Sequence, residues 1–288
     1  MLETIYCTIC NDNKFDPFIK INDNLKIYKN FSIIKCKCDF VYLNPRPNSE
    51  DIKQYYCLEN YMPHNKKNKT IFFNIYKLVQ YFTVRWKSKK INYKNGQRLL
   101  DIGGGDGVFA KYISGKGLNV TLQDAYYDKN NINKNYIYAN DLDEIVSKNK
   151  FDFITLWHSL EHIHDLDKLF FNINRLLLNE GELIIAVPNL NAPERKFYNK
   201  DWAAYDAPRH LYHFNFTTLE KICNKYKFKV IRKYCLYQDT PYNILLSISR
   251  KNFINIFKAF FIFVYSMLIT LLFGPNYSSS ILIICKKY

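Results

Sequence analysis

The chain has 288 residues, 48% hydrophobic and 23% charged, which excludes a disordered protein and gives one large domain, or one large and one small. A net charge of +15 raises nucleic acid or an anionic membrane as partners. No basic run exceeds a few residues, however, and a general richness in Lys, Asn, Ile and Tyr accounts for the charge, so nucleic acid is not the expected partner.

The start, "MLETIYCTIC", has no basic segment leading into an apolar one, which predicts no signal peptide and a cytoplasmic location. In that setting cysteines are reduced thiols or metal ligands. Cys7 and Cys10 form a C-x2-C pair, and Cys36 and Cys38 form a C-x-C pair 25 residues further on. Four thiolates in two close pairs suit a closed tetrahedral Zn2+ site, and a module this small gains from a structural metal. The C-x-C pair is tighter than usual, so buried cysteines without metal stand as the alternative. Cys57, Cys223, Cys235 and Cys285 are scattered and read as ordinary thiols. Residues 1–48 are thus the expected cysteine module, ended by "LNPRP". Residues 49–95 are a helical linker, with apolar residues at helical spacing from Thr70 to Lys90.

From residue 96 strands and helices alternate. "RLLDIG" reads as a strand and "DGVFAKYISGKG" as a helix. "NVTLQD", "NYIYAND" and "FDFITLWH" are further strands. Asp165 caps the next helix, and "GELIIAVPN" is a strand again. The pattern predicts an α/β fold, a Rossmann-like parallel sheet with helices on both faces. Ligands in such sheets bind beyond the carboxyl ends of the strands.

The turn "LLDIGGGDG" decides which ligand. Gly103, Gly105 and Gly107 give G-x-G-x-G, and the third glycine of a dinucleotide fingerprint would fall at Val108. Asp101 and Asp106 would repel a diphosphate there. S-adenosylmethionine has no phosphate and carries a cationic amine and sulfonium, so it suits an acidic turn. Asp124, at the end of the second strand, could accept from the ribose hydroxyls.

Together, "LLDIGGGDGVFA", "NVTLQD", "FDFITLWHSLEHIHD", "EGELIIAVPN" and "DAPRHLYHF" resemble class I S-adenosylmethionine-dependent methyltransferases. The sequence is most similar to a bacterial subgroup with an N-terminal cysteine module leading into "NPRP", often associated with cell-surface polysaccharide or other sugar-modifying pathways. The resemblance implies that Asp101, Gly103, Gly105, Asp124, Asp141 and His158 contact the cofactor. It also implies an acceptor that is a carbohydrate or sugar-linked molecule. One departure is "CKCDF", where the subgroup has C-x-x-C-G.

On the acceptor side, "DWAAYDAPRHLYHF" follows the fifth strand and offers Asp206, Arg209, His210, Tyr212 and His213 beside aromatic residues. His210 or His213, kept neutral by Arg209 and by burial, is the candidate general base. A packed loop with hydrogen-bonded histidines is the alternative, and Glu161 and His162 read as hydrogen-bonders at a helix start. An RNA-modifying enzyme and a non-catalytic scaffold remain rival functions.

Residues 252–275 form an apolar helical insertion in the domain 96–288. Its uncharged run, 259–273, falls short of the roughly 20 residues a span needs. Peripheral contact with an anionic membrane, on the inner face, or burial at a protein contact is the expectation. "SSSILIICKKY" reads as a final strand.

Overall fold

The computed structural model describes residues 1–23, 27–56, 71–125, 135–145, 150–248 and 252–288, without the side chains of 71–78. Cys57, Thr70, Arg250 and Lys251 lie outside these residues. The N-terminal part contains β1 (Leu2–Glu3), β2 (Phe15–Asn22), β3 (Asn30–Cys36), β4 (Val41–Leu43) and β5 (Arg46–Pro47). Helix α1 (Ile71–Ser88) leads into β6 (Arg98–Ile102), α2 (Val108–Ser114), β7 (Asn119–Gln123), β8 (Ile137–Ala139) and β9 (Phe151–Trp157). Then come α3 (Leu166–Leu176), β10 (Leu177–Pro188), α4 (Arg195–Tyr198), β11 (Tyr212–His213) and α5 (Phe216–Lys225). The remainder is β12 (Phe228–Cys235), α6 (Asp239–Leu246), α7 (Phe253–Phe273) and β13 (Ser280–Lys287).

The large sheet has the order β12-β13-β10-β9-β6-β7-β8. Strands β6 to β10 run parallel, as the alternating pattern requires, but β13 is antiparallel to both β10 and β12. The wholly parallel sheet expected from sequence is therefore corrected to a mixed one. The physical reason is the route of the chain. After β12 it returns through α6 and α7 along the same end of the sheet, so β13 must run back between β10 and β12. Strict alternation builds a core on each face: Ile281, Ile283 and Cys285 pack with Leu100, Ile102 and α3, whereas Leu282 and Ile284 pack with Leu99, Val120 and α2. Asp165 caps α3 as expected, its side chain accepting from the Lys168 amide at 2.8 Å.

The second sheet, β11-β4-β3-β2, joins the two ends of the chain. Tyr212 pairs with Tyr42 and His213 with Val41. Arg46, 5% exposed, donates to Tyr212 Oη at 2.9 Å, to the His164 carbonyl at 3.1 Å and to Glu3 at 2.7 Å. Phe31, Ile33, Phe40 and Leu43 lie in the same apolar core as Leu160, Leu190 and Phe214. The cysteine-bearing strands are thus part of the main body and hold the 201–214 loop from behind.

Candidate active site and cysteine cluster

Four sulfur atoms converge where sequence places them. The Sγ atoms of Cys7, Cys10, Cys36 and Cys38 all lie within 4.8 Å of one another, with Cys7–Cys38 at 3.5 Å and Cys10–Cys36 at 3.4 Å. Zinc–sulfur bonds of about 2.3 Å place tetrahedral sulfurs about 3.8 Å apart, so the set fits one zinc ion with little movement. The short second knuckle closes because Asp39 takes a left-handed φ of 74° directly after Cys38. That is the place of the absent glycine, and Asp is among the residues that tolerate it.

At the carboxyl ends of β6 and β7 the glycine turn is built by close approach. A Cβ on Gly103 would sit 2.5 Å from Ser159 Cβ, and Gly103 already has a φ of 68°. Gly105, with φ 56°, faces open space on the side a Cβ would take, which leaves its backbone accessible to a ligand. Its amide donates to Asp124 Oδ2 at 2.8 Å. Asp124 thus stands half-buried at the end of β7, beside the open turn. Asp101 lies underneath instead. It is 1% exposed, accepts from Thr155 Oγ1 at 2.7 Å, and burial pushes its carboxyl up to about 7. Asp141 is exposed and accepts from the Asp143 amide at 3.0 Å, capping a short turn. The open turn and the Asp124 carboxylate fit an adenosyl ligand without phosphate. The ammonium of Lys87 lies 4.7 Å above the Trp157 ring.

The segment after β9 links this turn to a second space. Ser159 touches Gly103 and donates to the Ile102 carbonyl at 2.8 Å, while His158, Glu161 and His162 line a cavity of about 690 Å³. Asp206, Arg209 and His210 from the 201–214 loop and Asp239 and Tyr242 from α6 complete its walls. His158 has a left-handed φ of 55° and lies 2.9 Å, through Nε2, from Asp239 Oδ2. Burial opposes its charge, but the carboxylates of Asp239 and Glu161 outweigh burial and raise it to about 9. It is a cation at neutral pH.

Glu161 is wholly buried and neither carboxylate oxygen has a hydrogen-bond partner. His158 Nδ1 is 3.6 Å from Oε1, too far for a hydrogen bond. Burial disfavours its ionisation, yet the surrounding histidines hold it below the ordinary carboxylate range. The sequence reading of Glu161 as a hydrogen-bonder at a helix start is therefore corrected, since its buried carboxylate makes no hydrogen bond although the residue lines the cavity. His162 Nδ1 lies 3.0 Å from the Arg209 carbonyl, and His210 Nδ1 lies 2.8 Å from the Ala204 carbonyl. A carbonyl only accepts, so Nδ1 carries a proton in both contacts; Tyr56 Oη also lies 3.0 Å from His162 Nδ1. Burial lowers His162 to about 4, so its ring is neutral. Glu161, His162 and His210 offer ligand atoms within 4.8 Å of one another, a spacing that a divalent cation would also accept.

The two candidate bases separate. His210 lines the cavity, with Nε2 3.7 Å from Asp206 Oδ2, and Asp206 is held by Arg209 at 2.6 Å. His213 lies within the second sheet in β11, 5% exposed and edge-on to Tyr205, and burial depresses it to about 3. It is not among the cavity residues. Trp202 and Tyr205 are buried edge-on to each other at 5.0 Å, and both are among the residues lining the cavity. Asp239 carried no sequence signal, because its role depends on a contact with His158 across the sheet. Glu161 did carry one, sitting beside His162 directly after a strand end.

A family model described as a methyltransferase domain matches residues 75–233. The ubiquinone biosynthesis O-methyltransferase of Rickettsia prowazekii is 27% identical over 140 residues, 44% of this chain and 55% of that protein. Its counterpart from Rickettsia typhi is 24% identical over 156 residues, 49% of this chain and 61% of that protein. The matched stretch spans between half and two thirds of the length of these two relatives. Among solved structures, a cyclopropane synthase from Mycobacterium tuberculosis aligns with a TM-score of 0.49 at 15% identity, covering 72% of this chain and 84% of that one.

Proposed function

The chain belongs to the methyltransferase-domain family of class I S-adenosylmethionine-dependent enzymes, and we propose that it methylates a hydroxyl of a polar, sugar-linked acceptor held in the cavity beside the glycine turn. The observation that carries this reading is the shared segment 158–162. One residue of it packs against the cofactor turn and three line the polar cavity, so donor and acceptor sites share a wall.

S-adenosylmethionine supplies an activated methyl group and needs no further activation. The Gly105 backbone and Asp124 would hold its adenosyl part. Asp206, Arg209 and Asn243 supply the hydrogen-bonding groups that orient a polyhydroxyl acceptor. The acceptor hydroxyl gives its proton to His210 Nε2 as the methyl passes from sulfur to oxygen. The charge then on His210 is stabilised by Asp206, 3.7 Å away, which Arg209 keeps in place. The cysteine cluster would hold one structural Zn2+, with no open position for chemistry.

A second reading takes the relatives' name as its support: a hydroxylated ring of a quinone precursor as acceptor. A phenolic hydroxyl would use the same His210. Incubating the protein with labelled S-adenosylmethionine and either a sugar nucleotide pool or a catechol separates the two. Transfer to the catechol alone overturns the sugar reading.

A further inference from the structure

Helix α7 is long and apolar enough to cross a membrane by length and composition, yet it is joined to the body of the protein. Ala259, Ile262, Ser266 and Thr270 are buried, Ala259 and Ile262 pack with Ile244 and Ile248, and Thr270 donates to the Tyr277 carbonyl at 3.0 Å. Seven residues after Phe273 the chain enters β13, inside the sheet. A helix fixed along one side and followed at once by a core strand cannot thread a bilayer. Its other side nevertheless presents Phe257, Phe260, Phe261, Leu268, Leu271 and Leu272, each more than half exposed. A patch of this kind marks an interaction surface.

Charge selects the partner. From residue 240 to 288 there is no Asp or Glu, whereas Arg250 and Lys251 precede the apolar run and Lys258 lies within it. Lys258 is exposed on α7 itself, and exposed Lys196 and Lys200 flank Phe197, whose ring meets Tyr265 of α7 at 5.3 Å. An apolar face edged by cations complements anionic headgroups over acyl chains. The patch also continues to the cavity. Tyr242 and Leu246 of α6, each half exposed, line its mouth, and Leu245 between them in sequence is also more than half exposed.

We propose that α7 lies in the plane of an anionic bilayer surface, and that the acceptor is a lipid-anchored molecule whose polar head enters the cavity past α6. The docking stands without the methyl-transfer reading, whereas the nature of the acceptor rests on it.

Two measurements on the full chain test this. In flotation with phosphatidylcholine vesicles containing about 30% phosphatidylglycerol, the protein binds, and high salt or pure phosphatidylcholine weakens binding at least about tenfold. The triple variant Phe257→Ser, Phe261→Ser, Leu272→Ser loses binding by a similar factor while S-adenosylhomocysteine affinity and melting temperature hold. Equal flotation of variant and wild type overturns the docking, as does resistance to alkaline extraction, which means a span. A dimer that the variant converts to monomer, with no vesicle binding, assigns the face to a second copy instead. For the acceptor, label from S-adenosylmethionine incubated with a whole-cell extract should move into the organic phase. Label confined to the aqueous phase overturns the lipid anchor and leaves the docking intact. Vesicle binding without any S-adenosylhomocysteine binding would instead sink the methyltransferase reading alone.

Discussion

The amide of Gly105 and the carboxylate of Asp124 are joined at 2.8 Å across the β6–β7 pair, so the turn that opens toward the ligand is held by the residue that would also grip the ribose. Removing that carboxylate acts twice. Asp124→Ala should weaken S-adenosylhomocysteine binding by about 1.5–3 kcal/mol, the range for charged hydrogen bonds. Calorimetry at constant salt reads it directly, and an unchanged affinity would show that Asp124 serves only the turn.

Replacement of His210 by Gln should lower kcat by roughly 10²–10⁴ with cofactor affinity almost unchanged, as expected for loss of a general base. His213→Gln should do the opposite, keeping turnover and lowering the melting temperature, since it disturbs a buried ring that packs on Tyr205. Full activity of the His210 variant from pH 6 to 9 would remove it from the reaction.

Protein purified without chelator should carry close to one zinc per chain. Stripping the metal should loosen β2–β4 and with them the β11 pairing behind the acceptor loop. Hydrogen exchange on the amides of 30–43 and 211–214 follows both effects together. A metal-free protein with full protection at these amides would reject the zinc site.

Asp101 makes stability depend on pH in an unusual direction. Its folded value, about 7, lies above the unfolded one near 4, so the folded state binds the extra proton between these limits. Its contribution is greatest below pH 4 and is lost, at up to about 1.4 kcal/mol per pH unit, as pH rises toward 7. Asp101→Asn keeps an oxygen for Thr155 and removes this loss. The variant should gain on the wild type in denaturant melts at pH 7 and match it near pH 4. Parallel curves across that window would mean that Asp101 is already ionised in the fold.

Local pattern carried the repeating part of the fold. Strands at 98–102, 119–123 and 151–157 and the Asp165-capped helix follow from apolar runs and turn chemistry. The converging cysteines and the Gly105–Asp124 corner were equally legible, because each depends on spacing within one or two elements. Contacts between distant segments were not. Nothing near Tyr212 announces a pairing with Tyr42, and nothing near Asp239 announces the cation of His158. The two histidines of "PRHLYHF" looked equivalent for the same reason. Which one faces the cavity is set by the β11–β4 pairing, not by its neighbours in sequence.

Strand β13 has a consequence for how the protein is made. It lies between β10 and β12, and everything from residue 189 to 279, including the acceptor loop and the apolar helix, is an excursion that this strand closes. Such long-range pairing forms late, since the loop entropy must be overcome before the contacts are gained. Until then α7 can pack only on its sequence neighbours in α6, and the nascent chain carries a largely bare 21-residue apolar rod. A membrane close to the ribosome would shelter it during that interval. The helix would then reach the lipid before the enzyme is finished, and the sheet would close around a segment already at its destination.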